Sequence, residues 1–368
     1  MPSSISSSDV RLTASDRPGI AQPVPVRDIP VQPWNGVFVG ALAMMLVMLG
    51  AWEWHWRAFG VTASIRSSDG LWAIQRRRID NGDGAATVLL GDSRMYFDLQ
   101  LPVWERLEGK RPIQLAFEGT SPLRFMEDLA ADSNFTGRLL VNVAPVVFFE
   151  GFSRRVGAIR YFRDESPSQR VGQWLSMRLV EPLFAFDDPD FALATVIERQ
   201  PWPDRPGKRP LLEIRKISQS EADRNTHLWS KVETDADYRA LVRAIWIPRI
   251  ELWKNDPPPD AIHRLVQEQI DRTAKAVGVL RARGVKVLFV RLPSDGRMLE
   301  VENDVMPRSE TWDALLEATD TPGIHFEDYP ELRSLDLPES SHLSRADSER
   351  LTEALYRIVE RDFWHRGS

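Results

Sequence analysis

Two hydrophobic periods alternate along most of this chain. Ala86-Thr87-Val88-Leu89-Leu90 is a short aliphatic and β-branched run stopped by Gly91-Asp92-Ser93, which predicts a buried strand presenting a serine at its carboxyl end. Phe97 to Leu107 reads as a helix, Pro112-Ile113-Gln114-Leu115-Ala116 as a second strand and Leu139-Leu140-Val141-Asn142-Val143 as a third. Ser121-Pro122 supplies a cap and a first-turn proline for a helix carrying Phe125, Met126 and Leu129. Farther on, Ile262, Leu265, Val266, Ile270, Ala274 and Val277 fall at helical spacing, Gly284 closes that helix, and Val285 to Val290 is a strand. Gly323-Ile324-His325-Phe326 predicts a short edge strand. The last helix carries Leu351, Ala354, Leu355, Ile358 and Val359 on one face, with Ser344 and Asp347 as its start signal. Helix-to-strand pairs of this kind build a parallel sheet with right-handed crossovers.

Two stretches depart from the alternation. Gly36 to Trp52 holds no charged residue, and about 17 residues at about 1.5 Å each approach the hydrocarbon thickness of a bilayer. Trp34 at one end and Trp52, Trp54 and Trp56 at the other resemble interfacial belts. A soluble core helix would show a polar face, and a signal peptide would end on small residues. The expectation is a single transmembrane helix at 36–56, whose orientation is open because Arg17 and Arg27 before it balance Arg57 and Arg66 after it. The second departure, 148–259, is too long for a loop in a compact domain and predicts a mainly helical insertion. Trp174 to Leu183 and Tyr238 to Trp253 are its helical segments, with the turn-rich Pro201 to Gly207 between them. It is placed to cover the carboxyl end of the sheet or to touch a partner.

The resulting organisation is a polar tail at 1–35, the anchor at 36–56, a linker and helix at 57–84, an α/β domain in two parts at 85–147 and 260–368, and the insertion at 148–259. With 368 residues, 43% of them hydrophobic, the chain can bury a substantial core. A net charge of -6 without a basic, aromatic-interleaved patch argues against nucleic acid as a partner. The absence of cysteine removes disulfides and thiolate-bound metals, and nothing in the sequence calls for a cofactor.

A serine becomes a nucleophile only when a base takes its proton. Of the six histidines, His55 lies at the expected membrane interface, His227 and His263 in or beside the insertion, His325 on a strand and His365 in the tail. His342 stands apart in Glu339-Ser340-Ser341-His342-Leu343-Ser344, a polar segment just before the last helix. Glu339, three residues earlier, is suited to orient the imidazole, with Asp336 as the second candidate. Gly91-Asp92-Ser93 also fits a plain turn, and the His342 segment a plain capped loop.

Taken in chain order, Gly91-Asp92-Ser93 followed by an acid-x-x-His-Leu-Ser segment before the final helix resembles the SGNH/GDSL hydrolase superfamily. The resemblance implies a flavodoxin-like parallel sheet and a catalytic Ser93, His342 and acid, where Glu339 stands in place of the family's aspartate. It also implies oxyanion donors from a glycine after the second strand, matched by Gly119, and from an asparagine after the third. Asn142 is the asparagine at hand, in Val-Asn-Val-Ala-Pro rather than Gly-x-Asn-Asp.

An anchored version of this type resembles accessory proteins of bacterial polysaccharide O-acetylation. That second resemblance implies an inner-membrane protein with a periplasmic domain. It would transfer acyl groups through a serine ester to a polysaccharide and work beside a multispan membrane acyltransferase. Two other readings stay open, a noncatalytic envelope assembly subunit and a simple esterase of lipids or small esters. Arg94, Arg291 and Arg308 are candidates to add positive potential for an anionic substrate.

Overall fold

The computed structural model describes residues 32–151, 153–200, 216–254 and 257–364. The expectations for the tail before residue 32 and for the turn at Pro201 to Gly207 lie outside the described residues. Helix α1 (Trp34–Phe59) is longer than the expected anchor and buries no residue. It is the one helix among the described residues long and apolar enough to cross a membrane.

From Glu53 onward the chain forms an α/β unit. Helix α2 (Asp69–Arg78) precedes strand β1 (Thr87–Leu90), followed by α3 (Ser93–Asp98), α4 (Leu101–Glu108), β2 (Ile113–Gln114), α5 (Leu123–Ala131) and β3 (Arg138–Asn142). Then come α6 (Pro145–Phe149), α7 (Gly157–Asp164), α8 (Pro167–Leu179), α9 (Leu193–Glu198), β4 (Ser218–Ser220), β5 (Thr226–Leu228), α10 (Ser230–Thr234) and α11 (Ala236–Glu251). The domain resumes with α12 (Pro259–Ala282), β6 (Lys286–Arg291), α13 (Gly296–Val305), α14 (Ala314–Thr319), β7 (Gly323–His325) and α15 (Arg345–Val359).

The main sheet runs β2-β1-β3-β6-β7, with every neighbouring pair parallel. Counting only its own strands this is the doubly wound order 2-1-3-4-5, in which the chain reverses direction across the sheet between β1 and β3. Both faces are covered, and the period of two along each strand decides which residue serves which face. Leu89, Leu140, Leu288 and Val290 pack with α3, α4 and α15, while Val88, Leu90, Leu139, Val141 and Phe289 pack with α5, α12 and α14.

Several expected boundaries shift for local reasons. The helix expected from Phe97 to Leu107 is two helices, because Leu99 takes extended backbone between α3 and α4. Pro122 sits at the N-cap of α5, one position before its first turn. Trp174 to Leu183 is helical only to Leu179, and that helix starts earlier, where Ser166 and Gln169 form a reciprocal capping box. Gly284 does close α12, at φ +85°, and Ser344 caps α15 by accepting the Asp347 N–H.

Among the described residues, the regular elements of the insertion are helices apart from an antiparallel ribbon of β4 and β5. It is laced to the sheet domain through polar contacts: buried Asn225 accepts the Leu101 N–H at 2.9 Å, and Arg243 donates to the Pro338 carbonyl at 2.6 Å. Fully buried Arg224 donates to the Gln114 and Ala116 carbonyls and lies 4.5 Å from the rings of Tyr96 and Phe117. These contacts set the insertion over the carboxyl edge of β1 and β2.

Candidate active site

Strand β1 delivers its serine at the point where open α/β sheets build sites. Beyond the register pair Leu90 and Val141, Gly91 approaches β3 so closely that a Cβ on it would stand 2.8 Å from the Asn142 Cβ and 2.7 Å from the Met95 Cβ. Asp92 then caps α3 by accepting the Arg94 N–H at 3.2 Å, which puts Ser93 at the first helical position.

His342 comes from the other end of the domain. Its Nε2 lies 2.7 Å from Ser93 Oγ, and its Nδ1 is hydrogen-bonded to the Glu339 carboxylate. With the Nδ1 proton donated to Glu339, Nε2 is left to accept the serine proton. The segment that carries both residues is held in an unusual backbone state: Ser340 has φ +74°, a left-handed conformation that costs a side-chain-bearing residue about 1–2 kcal/mol. It is fixed by the Asp295 N–H, which donates to the Ser340 carbonyl at 3.1 Å, and by the Ser340 N–H, which donates to Leu337. The ring of Phe97 packs 4.7 Å from the imidazole and that of Trp246 lies at 6.5 Å. His342 and Glu339 are fully buried, whereas Ser93 retains 8% exposure. Burial by itself would pull the imidazole pKa down, but the Glu339 carboxylate outweighs it and raises the pKa above the ordinary value.

A second acid faces this cluster. Asp98, the last residue of α3, is fully buried; its Oδ1 accepts the Leu343 N–H at 3.0 Å and its Oδ2 has no hydrogen-bond partner. Burial pushes its carboxyl up to about 7, against the opposing pull of His342 and the Leu343 N–H. The signal was available in the sequence, a lone acid in the apolar run Tyr96-Phe97-Asp98-Leu99. Asp336, the alternative acid, instead meets the start of α15 through its backbone, donating its N–H to Asp347 and accepting from Ser344.

Among the described residues, neither the Ser93 nor the Gly119 N–H has an intramolecular acceptor, and both residues line the cleft. Gly119 sits at φ +58°, and a Cβ on it would meet no heavy atom nearer than 3.9 Å. Its glycine is therefore demanded by the backbone conformation and not by crowding. Asn142 lies behind Asp92: its Oδ1 accepts the Leu292 N–H at 3.1 Å, which aims Nδ2 at Asp92 Oδ1, 2.6 Å away. The residue is 1% exposed and does not line the cleft, so the geometry gives it the task of holding Asp92.

The cleft measures about 570 Å³ and mixes the two parts of the molecule, with Ser93, Phe97 and Gly119 from the sheet domain and Arg154, Trp246 and Arg249 from the insertion. The expectation that Arg94 and Arg291 face a substrate is corrected. Both are fully buried on the two oxygens of Glu302, Arg94 at 2.6 Å and Arg291 at 2.5 Å, and Ser294 adds a third hydrogen bond. Burial would raise the Glu302 carboxyl, but Arg291 and Arg94 outweigh it and hold it at about 2. Arg94 also donates to Ser341 Oγ at 3.3 Å, so the network braces the histidine segment. Arg308 pairs with Asp328 outside the cleft, at 2.7 Å. Buried His325 has its pKa drawn down to about 3, chiefly by desolvation.

No protein-family model, no curated protein and no solved structure matches this chain.

Proposed function

We propose that this protein is a membrane-anchored serine acyltransferase or acylesterase of the SGNH hydrolase type. One observation carries the reading: Ser93 Oγ, His342 Nε2 and the Glu339 carboxylate form a continuous hydrogen-bonded relay across residues far apart in the chain. The sheet order and the placement of the serine after its first strand add support.

In this mechanism Ser93 Oγ attacks the carbonyl carbon of a bound ester while its proton passes to His342 Nε2. The imidazolium that forms is stabilised by Glu339. Negative charge develops on the carbonyl oxygen, within reach of the Ser93 and Gly119 N–H groups that lack other acceptors. The donor C–O bond breaks, the departing alcohol takes the proton from His342, and an acyl ester remains on Ser93. An acceptor hydroxyl then gives its proton to His342 and attacks that ester, which returns the serine. Water as acceptor makes the enzyme an esterase, and a sugar hydroxyl makes it a transferase. The cleft falls within the roughly 300–1,000 Å³ typical of small-ligand sites.

The anchor reading of α1 and the serine relay together favour the envelope setting: a single-pass inner-membrane protein with a periplasmic domain. There it would modify a polysaccharide with acyl groups handed over by a multispan membrane acyltransferase. The test is covalent labelling of the full chain by a fluorophosphonate. The expected result is one adduct, on Ser93, absent from Ser93→Ala and formed about 10²–10⁴ times more slowly in His342→Ala. A folded protein that forms no adduct at Ser93 overturns the catalytic reading and leaves a noncatalytic envelope subunit.

A further inference from the structure

Helix α8 in the insertion has no buried residue. Val171, Trp174, Leu175 and Leu179 recur at helical spacing on one side and remain 56%, 57%, 40% and 57% exposed. The strip continues past the helix end into Leu183 and Phe184, also exposed. A contiguous row of large apolar side chains in water is costly and marks a surface that something covers.

The place where the strip ends identifies its cover. Glu53 accepts the N–H groups of Ala185 and Phe186 at 3.0 Å each, and Arg57, one turn on, donates to the Leu183 carbonyl at 2.9 Å. Glu53 directly follows Trp52, the last residue of the uncharged run, so the strip begins at the residues bonded to the exit of the candidate span. Exposed Trp54 stands beside Glu53 in sequence, and Arg170 and Arg178 are exposed on α8. Aromatic rings with exposed arginines suit a helix lying in the headgroup region over anionic lipid.

We infer that α8 together with Leu183 and Phe184 is a second membrane contact, lying in the interface of the bilayer that α1 crosses. The inference rests on reading α1 as a membrane span. Two attachments then hold the domain against the lipid surface and so set the height of the Ser93 cleft above the membrane.

The chain has no cysteine, so single cysteines can be placed at will. Full-length Trp174→Cys, Leu179→Cys, Met44→Cys and Arg357→Cys, each carrying an environment-sensitive fluorophore, are reconstituted into phosphatidylcholine vesicles containing a minority of phosphatidylglycerol. Some vesicles carry brominated acyl chains. The expected result is bromine quenching at positions 44, 174 and 179 and none at 357, where the native side chain is 71% exposed. Quenching at 44 without quenching at 174 and 179 overturns the inference, and crosslinking between copies at 174 would then assign the strip to self-association. Loss of quenching at 44 itself removes the membrane span, and the second contact with it.

Discussion

Asp98 accepts the Leu343 N–H at 3.0 Å, so the short helix that begins with Ser93 ends by gripping the residue after His342. Ser93 and His342 are thereby coupled twice, once through their own hydrogen bond and once through the backbone on either side of it.

Asp98→Asn keeps an acceptor for Leu343 and removes an ionisation. The Asp98 carboxyl is raised in the folded protein from 3.8 to about 7, so the native state binds the proton more tightly than the unfolded chain does. Its stabilising contribution is complete below pH 3.8 and is lost as pH rises through about 7. Thermal melts across that range should show Asp98→Asn gaining on the wild type as pH rises. A constant difference would mean that Asp98 does not titrate there.

Glu339→Gln should leave the fold intact and slow phosphonate labelling of Ser93 by about 10²–10⁴, because the imidazolium formed during attack loses its counter-charge. Labelling requires neutral His342, so its rate rises with pH through the histidine pKa. Glu339 holds that pKa above the ordinary value, and its removal should move the midpoint of the rate profile to lower pH. An unmoved midpoint would assign the raised pKa to Asp98 instead.

The relay was legible because each member stands beside a strong local signal. A strand ending in Gly-Asp-Ser and a capped helix preceded by acid-x-x-His are both written in a few adjacent residues. The succession of strands and helices was legible for the same reason, since the hydrophobic period changes at each element; the flavodoxin-like sheet order was implied only by the family resemblance. What the sequence hid depends on distant partners. Arg94 meets Glu302 208 residues away, and without that acid in view two arginines near the site read as free charge. Asn142 read as an oxyanion donor because position alone does not reveal that Leu292 turns its amide toward Asp92. Asp98 stood out as a lone acid in an apolar run, but its partner was hidden, because nothing local points to the histidine loop that covers it.

Two glycines separate crowding from conformation. Gly91→Ala places a Cβ 2.7 Å from Met95 and 2.8 Å from Asn142, and such overpacking should cost about 1–3 kcal/mol of stability. Gly119→Ala meets nothing closer than 3.9 Å but must hold φ +58°, a cost of about 1–2 kcal/mol. Chemical denaturation should place both variants in that range. The labelling rates should then divide them if the Gly119 N–H serves the proposed oxyanion site, because Gly119 lines the cleft beside Ser93 and Gly91 does not.

Glu302 tests whether the buried arginines are structural. It takes both guanidiniums in the same interior site, so Glu302→Gln leaves two cations without a counter-charge and should destabilise the fold by about 3–5 kcal/mol. Replacing either arginine alone leaves a neutral pair and should cost less. The carboxyl is lowered from 4.5 to about 2, so its contribution is complete above pH 4.5 and is lost as pH falls toward 2. Acid unfolding of the wild type should steepen in that interval, and the Glu302→Gln curve should stay flatter there. Because Arg94 also bonds Ser341 beside His342, the same variant should lower the Ser93 labelling rate under conditions where the protein is still folded. An unchanged labelling rate would separate the ion network from the catalytic segment and leave it a purely structural brace.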